Sequence, residues 1–504
     1  MFLVYLPLCV SEMPSFSSIW QLWPCCTTSY NDPTVTNRDQ EPYMSNATQD
    51  NSLEIKGNVL YPGCDAYEEA RSVWNAMIDR SPLLIARCLD SQDVASTLAF
   101  ARQHDHPVSI RGGGHNVAGH AVCDGGVMID LSGMRTVTVD PEKETAWVAG
   151  GATWGDVDVA SQAHGLATPG GLISDTGVAG LTLSGGIGWL RSRYGLCIDN
   201  MRSVEIVTAD GQIRRADEEE NADLFWAIRG GGGNFGVITG FEFQLHPLGP
   251  EVMFCAPIYA LDSGAEPIRF WRDFLADKND RIGSLIEFST VPEDDEFPRE
   301  FWGKQVYTMA AVYAGDAEEG ERVMQPLREL APLVTDFSGR MEYCEIQKLF
   351  DAIIPAGQFR CYWKSHYLNG LSDAVIDEIL ESIATVPSKN SLSSIWNFGG
   401  ATAGVAADAT AFGDRSMPWM FSIDSIWEDA TDDDTNINWT REVWGRMQCH
   451  SHHGRMYLNF PGQGEEGEKL LQDTYGDNYQ RLRKIKTKYD PDNRFRFNQN
   501  IRPG

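Results

Sequence analysis

No stretch of this chain is both long and apolar enough to span a bilayer. Met1 to Val10 is apolar but short, and no Lys or Arg precedes it, so it is also a poor secretory leader. Lysine is scarce: 11 of the 41 basic residues, against 71 acidic ones, for a net charge of −30 at pH 7. Such an acidic balance argues against nucleic acid and against anionic membranes as partners. The 11 cysteines are scattered, with no CxxC or zinc spacing, and adjacent Cys25-Cys26 is not a metal pattern. Free, mostly buried thiols in a reducing compartment are expected, and with them a cytoplasmic location. No metal is expected either. The acidic run Asp429 to Asp434 lacks the spacing and turn glycine of a cation loop and reads as solvated. His450, His452 and His453 stand at i, i+2, i+3 with no carboxylate motif beside them. What remains is a 504-residue chain, 42% apolar, with room for two or three domains.

Glycine, with 48 residues, is what the sequence has in concentrated form. Val108 to Ile110 reads as a strand that feeds Arg111-Gly-Gly-Gly-His115. A glycine triplet there lets the backbone turn with positive φ and approach a ligand. Consecutive N–H groups in such a turn make an anion-binding concavity. Arg111 can add charge, so a pyrophosphate is a natural guest. The G-x-G-x-x-G spacing of a Rossmann unit is absent. Taken alone, the segment fits an ordinary glycine turn beside a core histidine equally well. A second run, Thr168 to Gly188, is too rich in glycine for a helix or strand interior and suits backbone folded around a flat ligand. A third, Gly230 to Gly233, follows Asp223-Leu-Phe-Trp-Ala-Ile-Arg229.

Around these runs the periodicity predicts a helix-like Tyr67 to Met77, a strand at Leu83 to Arg87, and a helix over Ser91 to Arg102 with Ser91 as N-cap. Strands at Val127 to Leu131, Thr145 to Ala149 and Val204 to Thr208, and a helix from Trp154 to His164, complete a glycine-rich first part. Beyond Leu248 glycine thins out. Val252 to Pro257 and Gln305 to Tyr313 read as antiparallel strands, with Ile268 to Leu275 and Ala374 to Ile383 as covering helices. A basic helix, Leu482 to Lys488, lies near the end.

Arg111-Gly-Gly-Gly-His115, followed by Asp130-Leu131, resembles the flavin-attachment loop of the FAD-linked oxidases of the vanillyl-alcohol-oxidase superfamily, with its PCMH-type FAD domain. Within it the chain most resembles the berberine-bridge-enzyme-like group. Gly186-Ile-Gly-Trp-Leu-Arg-Ser-Arg-Tyr-Gly-Leu-Cys-Ile-Asp-Asn200 resembles the second flavin segment, except that its signature arginine falls on Ser192, between Arg191 and Arg193. Asp223 to Thr239 resembles the third motif. Met456-Tyr-Leu-Asn459 and Phe497-Asn-Gln-Asn500 resemble the family ending. The resemblance implies an α+β fold: a two-lobed FAD domain (64–247), an antiparallel-sheet substrate domain covered by helices (248–455), and a tail (456–504) that returns to the first. Residues 1–63 would be a disordered or leader segment.

The resemblance also implies FAD joined through its 8α-methyl to His115. Ile173 occupies the position of a second, cysteinyl anchor in some relatives, and Cys197 is out of register, so one attachment is expected. The cofactor-binding set it implies is Arg111, Gly112, Gly113, Gly114, His115, Asn116, Gly119, His120, Thr176, Gly177, Gly180, Gly185, Gly186, Gly188, Tyr194, Gly195, Asn200, Gly236, Ile238, Asn498 and Asn500. The expected reaction takes hydride from a C–H next to O or N of a small molecule, with molecular oxygen as acceptor. A flavin dehydrogenase using another acceptor, or a flavin-binding protein without turnover, are the rivals. Tyr457 is the candidate base, with Asn459 beside it if the segment is extended. An ordinary Tyr, of pKa about 10, would need lowering by nearby positive potential or hydrogen bonds to serve. Lys364 is equally well the source of that potential or a surface lysine, and Tyr362 and Trp363 are candidate pocket residues. Residues 1–43 carry no periodicity or motif. A chain begun at Met44 is expected to be yellow, soluble and of unchanged melting temperature; a colourless or aggregated product would refute this.

Overall fold

The computed structural model describes residues 53–278 and 280–504. The segment 1–43 and the Met44 start lie outside the described residues. Three main sheets carry the fold. The first contains β1 (Asn58–Leu60), β2 (Leu84–Arg87), β3 (Val108–Arg111) and β4 (Val127–Asp130), in the order β1-β2-β4-β3. β2, β4 and β3 are parallel, and β1 adds antiparallel to β2. The structured chain therefore begins before residue 64, within the stretch expected to be leader. A parallel pair needs a crossover, and the helix Ser91–Gln103 supplies it, burying Val94, Leu98 and Ala101. Its cap is Asp90, not Ser91: the Asp90 side chain accepts from Asp93 N, while the Ser91 hydroxyl donates to Glu205. The helix expected over Tyr67 to Met77 stops at Arg71. There the chain is pulled into a loop by Asn75, whose amide donates to Val117 O and Cys361 O at 2.7 and 2.9 Å.

The second sheet is antiparallel: β5 (Val137–Asp140), β6 (Thr145–Ala149), β8 (Met201–Val207), β9 (Ile213–Asp217) and β10 (Val237–Gln244), in the order β5-β6-β10-β8-β9. A two-strand ladder, β7 (Leu166–Ala167) with β11 (His246–Pro247), closes one end.

The third sheet has nine antiparallel strands: β12 (Glu251–Cys255), β13 (Pro257–Ala260), β14 (Ile282–Thr290), β15 (Gln305–Tyr313), β16 (Leu333–Asp336), β17 (Gly339–Glu342), β18 (Arg360–Leu368), β19 (Leu392–Asn397) and β20 (Trp419–Trp427). The path runs β16-β13-β15-β14-β19-β20-β18, and β12 pairs with β15 and β17. The strand expected over Val252 to Pro257 breaks at Ala256, whose N–H turns to the Ser338 hydroxyl at 2.8 Å. Alternation gives the sheet two unlike faces. Ile286, Phe288, Met309, Ile395, Phe421 and Ile423 face helices Glu266–Lys278, Asp373–Ile383 and Asp433–Met447 in one core. Leu285, Ala310, Trp396, Met420 and Cys361 face the glycine-rich part of the chain in another. The acidic run expected to be a solvated loop instead starts the helix Asp433–Met447: the Asp429 carboxylate accepts from Thr431 N, and Asp433 pairs with Arg360 at 2.5 Å. Acids at a helix N-terminus are favoured by its dipole.

The tail folds back on the first part. Helix Tyr479–Tyr489 places Lys486 in full burial, where its ammonium donates to Asn234 O at 2.7 Å, Phe495 O at 2.9 Å and Asp490 Oδ2 at 2.6 Å. Asp490 in turn accepts from Arg494 N and Phe495 N. Both side chains of the pair are fully buried. Removing one partner leaves a lone buried charge, which typically costs about 3–5 kcal/mol. Lys486→Met is therefore expected to lower unfolding free energy by about that amount, read by thermal denaturation; an unchanged melting temperature would show that the clip contributes nothing.

Candidate active site

A cavity of about 310 Å³ lies where the two glycine-rich loops, the third sheet and the tail meet. Gly113 and Gly177 form its narrowest backbone contact. A Cβ on Gly113 would fall 2.3 Å from Gly177 N, and one on Gly177 would fall 2.2 Å from Gly113 N. Gly180 and Gly233, by contrast, face open space within 4 Å. His115 stands just past this contact. Its Nε2 lies 2.6 Å from Asp175 Oδ1, and its ring stacks on Trp74 at 5.1 Å. Burial pushes the Asp175 carboxyl up, but the hydrogen bond and charge of His115 and a backbone hydrogen bond together hold it below its usual range.

Gly112, Gly114, Asn116, His120, Thr176, Gly236, Ile238 and Asn498 also line the cavity, as do Ile173, Tyr457, Asn459 and Trp363. Other expected cofactor residues stand behind the wall. Arg111 turns away and donates to Ala70 O at 2.5 Å, because its side chain lies under the Gly114 turn. Gly119 packs on Ile78, Gly185 on Phe412, Gly186 on Cys197, Gly188 on Gly170 O and Gly195 on Asp199. Tyr194 stacks on His246 at 3.9 Å, and Asn200 ties Tyr194 O to Leu196 O. Asn500 is likewise absent from the cavity wall. Of the two arginines that flank Ser192, Arg191 faces the interior. It is fully buried and donates to Asn397 O, Gly188 O, Ser284 O and Asn397 Oδ1, bolting the second glycine run to the third sheet. With no carboxylate among these partners, burial pushes it down to about 9.

Residues 456–459 form no strand, yet Asn459 Nδ2 donates to the Tyr457 hydroxyl at 2.8 Å and to Leu181 O at 3.0 Å. Lys364 is not the cation beside that phenol, nor is it on the surface. β18 alternates, so Trp363 and Ser365 face the cavity side while Tyr362 and Lys364 face the helix Asp433–Met447. There Lys364 Nζ meets Glu465 at 2.5 Å and lies over the Trp444 ring, and Tyr362 OH bonds to Glu465 and Arg441. Neither lines the cavity. With only neutral groups bonded to it, burial pushes the Tyr457 phenol well above 10. The three histidines do not meet at one point: His450 bonds to Glu378, while His452 bonds to Asn369 and Asp414 and its ring meets that of His453 at 4.6 Å.

Two acids that sequence reading passed over lie on the cavity wall: Glu287 on β14 and Asp424 on β20. The signal was there, a single acid in each of two otherwise apolar or hydroxylic runs, Ile282–Thr290 and Trp419–Trp427, but neither run was read as a strand. Glu287 belongs to a buried polar row that crosses five strands: Thr308, Glu287, Ser394, Ser422 and Ser365 stand directly opposite one another. The Ser422 hydroxyl donates to Asp424 at 2.9 Å, and the Ser365 hydroxyl accepts from Tyr457 N at 3.0 Å. Burial pushes Asp424 up to about 7 and Glu287 well above the usual carboxyl range.

Residues 82–217 match the FAD binding domain family, and 456–502 match the berberine and berberine-like family. An uncharacterized FAD-linked oxidoreductase of Bacillus subtilis, YgaK, is 30% identical over 462 residues, covering 89% of this chain and 98% of that protein. The chain belongs to the FAD-linked oxidoreductases. The oxidoreductase is also 32% identical over 302 residues to (R)-6-hydroxynicotine oxidase of Paenarthrobacter nicotinovorans, covering 59% and 63% of the two chains. The crystal structure of 6-hydroxy-D-nicotine oxidase from Arthrobacter nicotinovorans superposes with a TM-score of 0.80 at 28% identity, over 91% of this chain and all of that one. A chitooligosaccharide oxidase shares the fold at a TM-score of 0.79 and 22% identity, over 89% and 98%. The mixed α+β architecture agrees with these neighbours.

The cavity fits FAD on its own terms. Gly232, Gly233 and Gly236 line one end, and beside them the buried oxygens of Asn498 and Gln499 have no hydrogen-bond partner. Among the described residues no lysine or arginine lines the cavity, so backbone N–H groups of the glycine loops are left to hold a pyrophosphate. Gly113→Ala, which pushes a methyl into the Gly177 backbone, is expected to lose most of its flavin absorbance at 450 nm; a fully loaded variant would show that the loops need not touch.

Proposed function

We propose that the protein is an oxidase that carries one FAD covalently on His115 and oxidises a small molecule at a C–H next to nitrogen or oxygen. The observation that supports this best is His115 itself. It sits on the cavity wall with Nε2 engaged by Asp175, which leaves Nδ1 for the flavin 8α-carbon. Ile173, on the same wall, offers no thiol, and Cys197 is fully buried behind Gly186 with its thiol pushed well up by burial. When bound, FAD supplies the hydride acceptor and the route to molecular oxygen.

The chain supplies position and proton transfer. Tyr457 and Asn459 form a preset donor–acceptor pair that orients the substrate. The proton acceptor is the Glu287–Asp424 carboxyl set rather than the Tyr457 phenol, since burial disfavours a phenolate there and Asp424, near 7, is suited to a base at neutral pH. The carboxyl must be ionised to act, so flavin reduction speeds up as pH rises through about 7. Kinship to (R)-6-hydroxynicotine oxidase favours oxygen as acceptor.

Acid-precipitated protein is expected to stay yellow and His115→Ala to release its flavin; colour in the supernatant of the wild type would refute the bond. Anaerobic reduction followed by mixing with oxygen tests the acceptor, slow reoxidation marking a dehydrogenase. Asp424→Asn should slow flavin reduction about 10²–10⁴-fold if it removes the general base, and Tyr457→Phe should cost less. The reverse order would return the base to Tyr457.

A further inference from the structure

We propose that the substrate end of the cavity selects an organic ammonium ion, an amine that enters protonated, through the carboxyls of Glu287 and Asp424, each of which keeps an oxygen without a partner. This deepens the reading above, on which it rests for taking the cavity to be the substrate site.

Glu287 is 3% exposed and Asp424 8%, and both line the cavity. Glu287 Oε1 and Asp424 Oδ1 have no hydrogen-bond partner. Among the described residues no basic group bonds to the Glu287 carboxyl, and Asp424 receives only the Ser422 hydroxyl. A buried carboxyl without a partner is costly unless something brings it a proton or a cation. Two such groups in one wall leave a standing demand for positive charge. The surrounding wall suits the rest of such a molecule: Trp363, Trp396, Phe460, Leu285, Leu392 and Ile354 are all apolar. Phe460 and Trp363 meet nearly perpendicular at 5.5 Å, so an indole and a phenyl ring border the site, and aromatic rings attract ammonium groups.

The other charged and titratable groups around the cavity do not answer the demand. β19, between the two acid-bearing strands, presents only Leu392, Ser394 and Trp396, and β18 presents Trp363. Arg191 stacks on the Trp396 ring at 5.4 Å but bonds to carbonyl oxygens, not to either acid. On the flavin side, His115 is held by Asp175, burial pushes His120 down to about 4, and Tyr457 and Tyr475 are buried phenols. With no cation present Glu287 keeps its proton, as does Asp424 below about 7, and an entering ammonium ion replaces it. Binding therefore releases protons and tightens as pH rises through about 7, where Asp424 titrates.

The test is calorimetric titration of the full-length holoprotein with benzyltrimethylammonium, a permanent cation that cannot give up a hydride to form an iminium ion. Its neutral counterpart of nearly the same shape is 2-methyl-1-phenylpropan-2-ol. At pH 8 the cation should bind at least about tenfold more tightly, with proton release visible as a dependence on buffer ionisation enthalpy. The preference should shrink as pH falls below about 7. The Glu287→Gln and Asp424→Asn double variant should bind both ligands alike while keeping the alcohol affinity of wild type. Equal binding of the two ligands by wild type, no heat with the cation, or a preference that survives the double variant would each overturn the proposal. Because the probe binds without turnover, its failure leaves the oxidase reading standing. Loss of that reading, seen as protein without covalent flavin, leaves this result readable.

Discussion

The contact between the backbones of Gly113 and Gly177 is the constraint on which the site depends. Each glycine lies two residues from one member of the His115–Asp175 pair, so bringing the two loops to backbone distance also delivers the imidazole to the carboxylate. One loop comes off β3 of the first sheet, and the other lies between the second sheet's β6 and β8. Only a residue without a Cβ permits this approach, which is why glycine is needed at these two positions for packing rather than for turning. The open space at Gly180 and Gly233 is the other use of the same residue: there the missing side chain makes room.

The third sheet works as a partition. Its helix side is a conventional hydrophobic core built from Ile, Phe, Met and Trp side chains. Its cavity side carries a polar row and two acids that would each be unfavourable in a sealed core, since an unmatched buried polar group costs about 1–3 kcal/mol. That cost is tolerable only where a ligand or solvent can reach the groups. The same alternation that hides Tyr362 and Lys364 behind the sheet brings Trp363 and Ser365 to its front.

Much of the site was legible because glycine clusters and their histidine are local in sequence. His115, Gly113, Gly177 and Asn498 were placed by several motifs that together resemble one family, since the first loop alone fitted an ordinary glycine turn equally well, and all four line the cavity; the pairing of Tyr457 with Asn459 survived the loss of the strand assumed for it. What could not be read was anything that depends on register. Lys364 was expected beside the phenol and Tyr362 in the pocket with Trp363, but a shift of one position along β18 separates the two faces. Glu287 and Asp424 are 137 positions apart and meet the cavity only through strand pairing. The burial of Arg191 was hidden for a similar reason, because its partners Ser284 and Asn397 come from distant strands. Packing demands also outweighed local pattern at Gly119, Gly186 and Gly188, which serve neighbours rather than a ligand.

β18 is the last strand on its side of the sheet, nine residues long, and its outer edge would be free to pair with another chain. The stretch from His450 to Glu465 runs along it. Asn369 N, Tyr367 N and Gly462 N bond to or from this stretch, and His452 N returns a bond to Tyr367 O. At its far end Glu465 reaches round the margin to Lys364 and Tyr362 on the opposite face. The segment that presents Tyr457 to the cavity is thus also the selvage of the sheet, sewn to both faces. Covering the sheet edge and presenting Tyr457 to the cavity are consequently tied to one strip of chain, so a substitution that loosens the strip disturbs both.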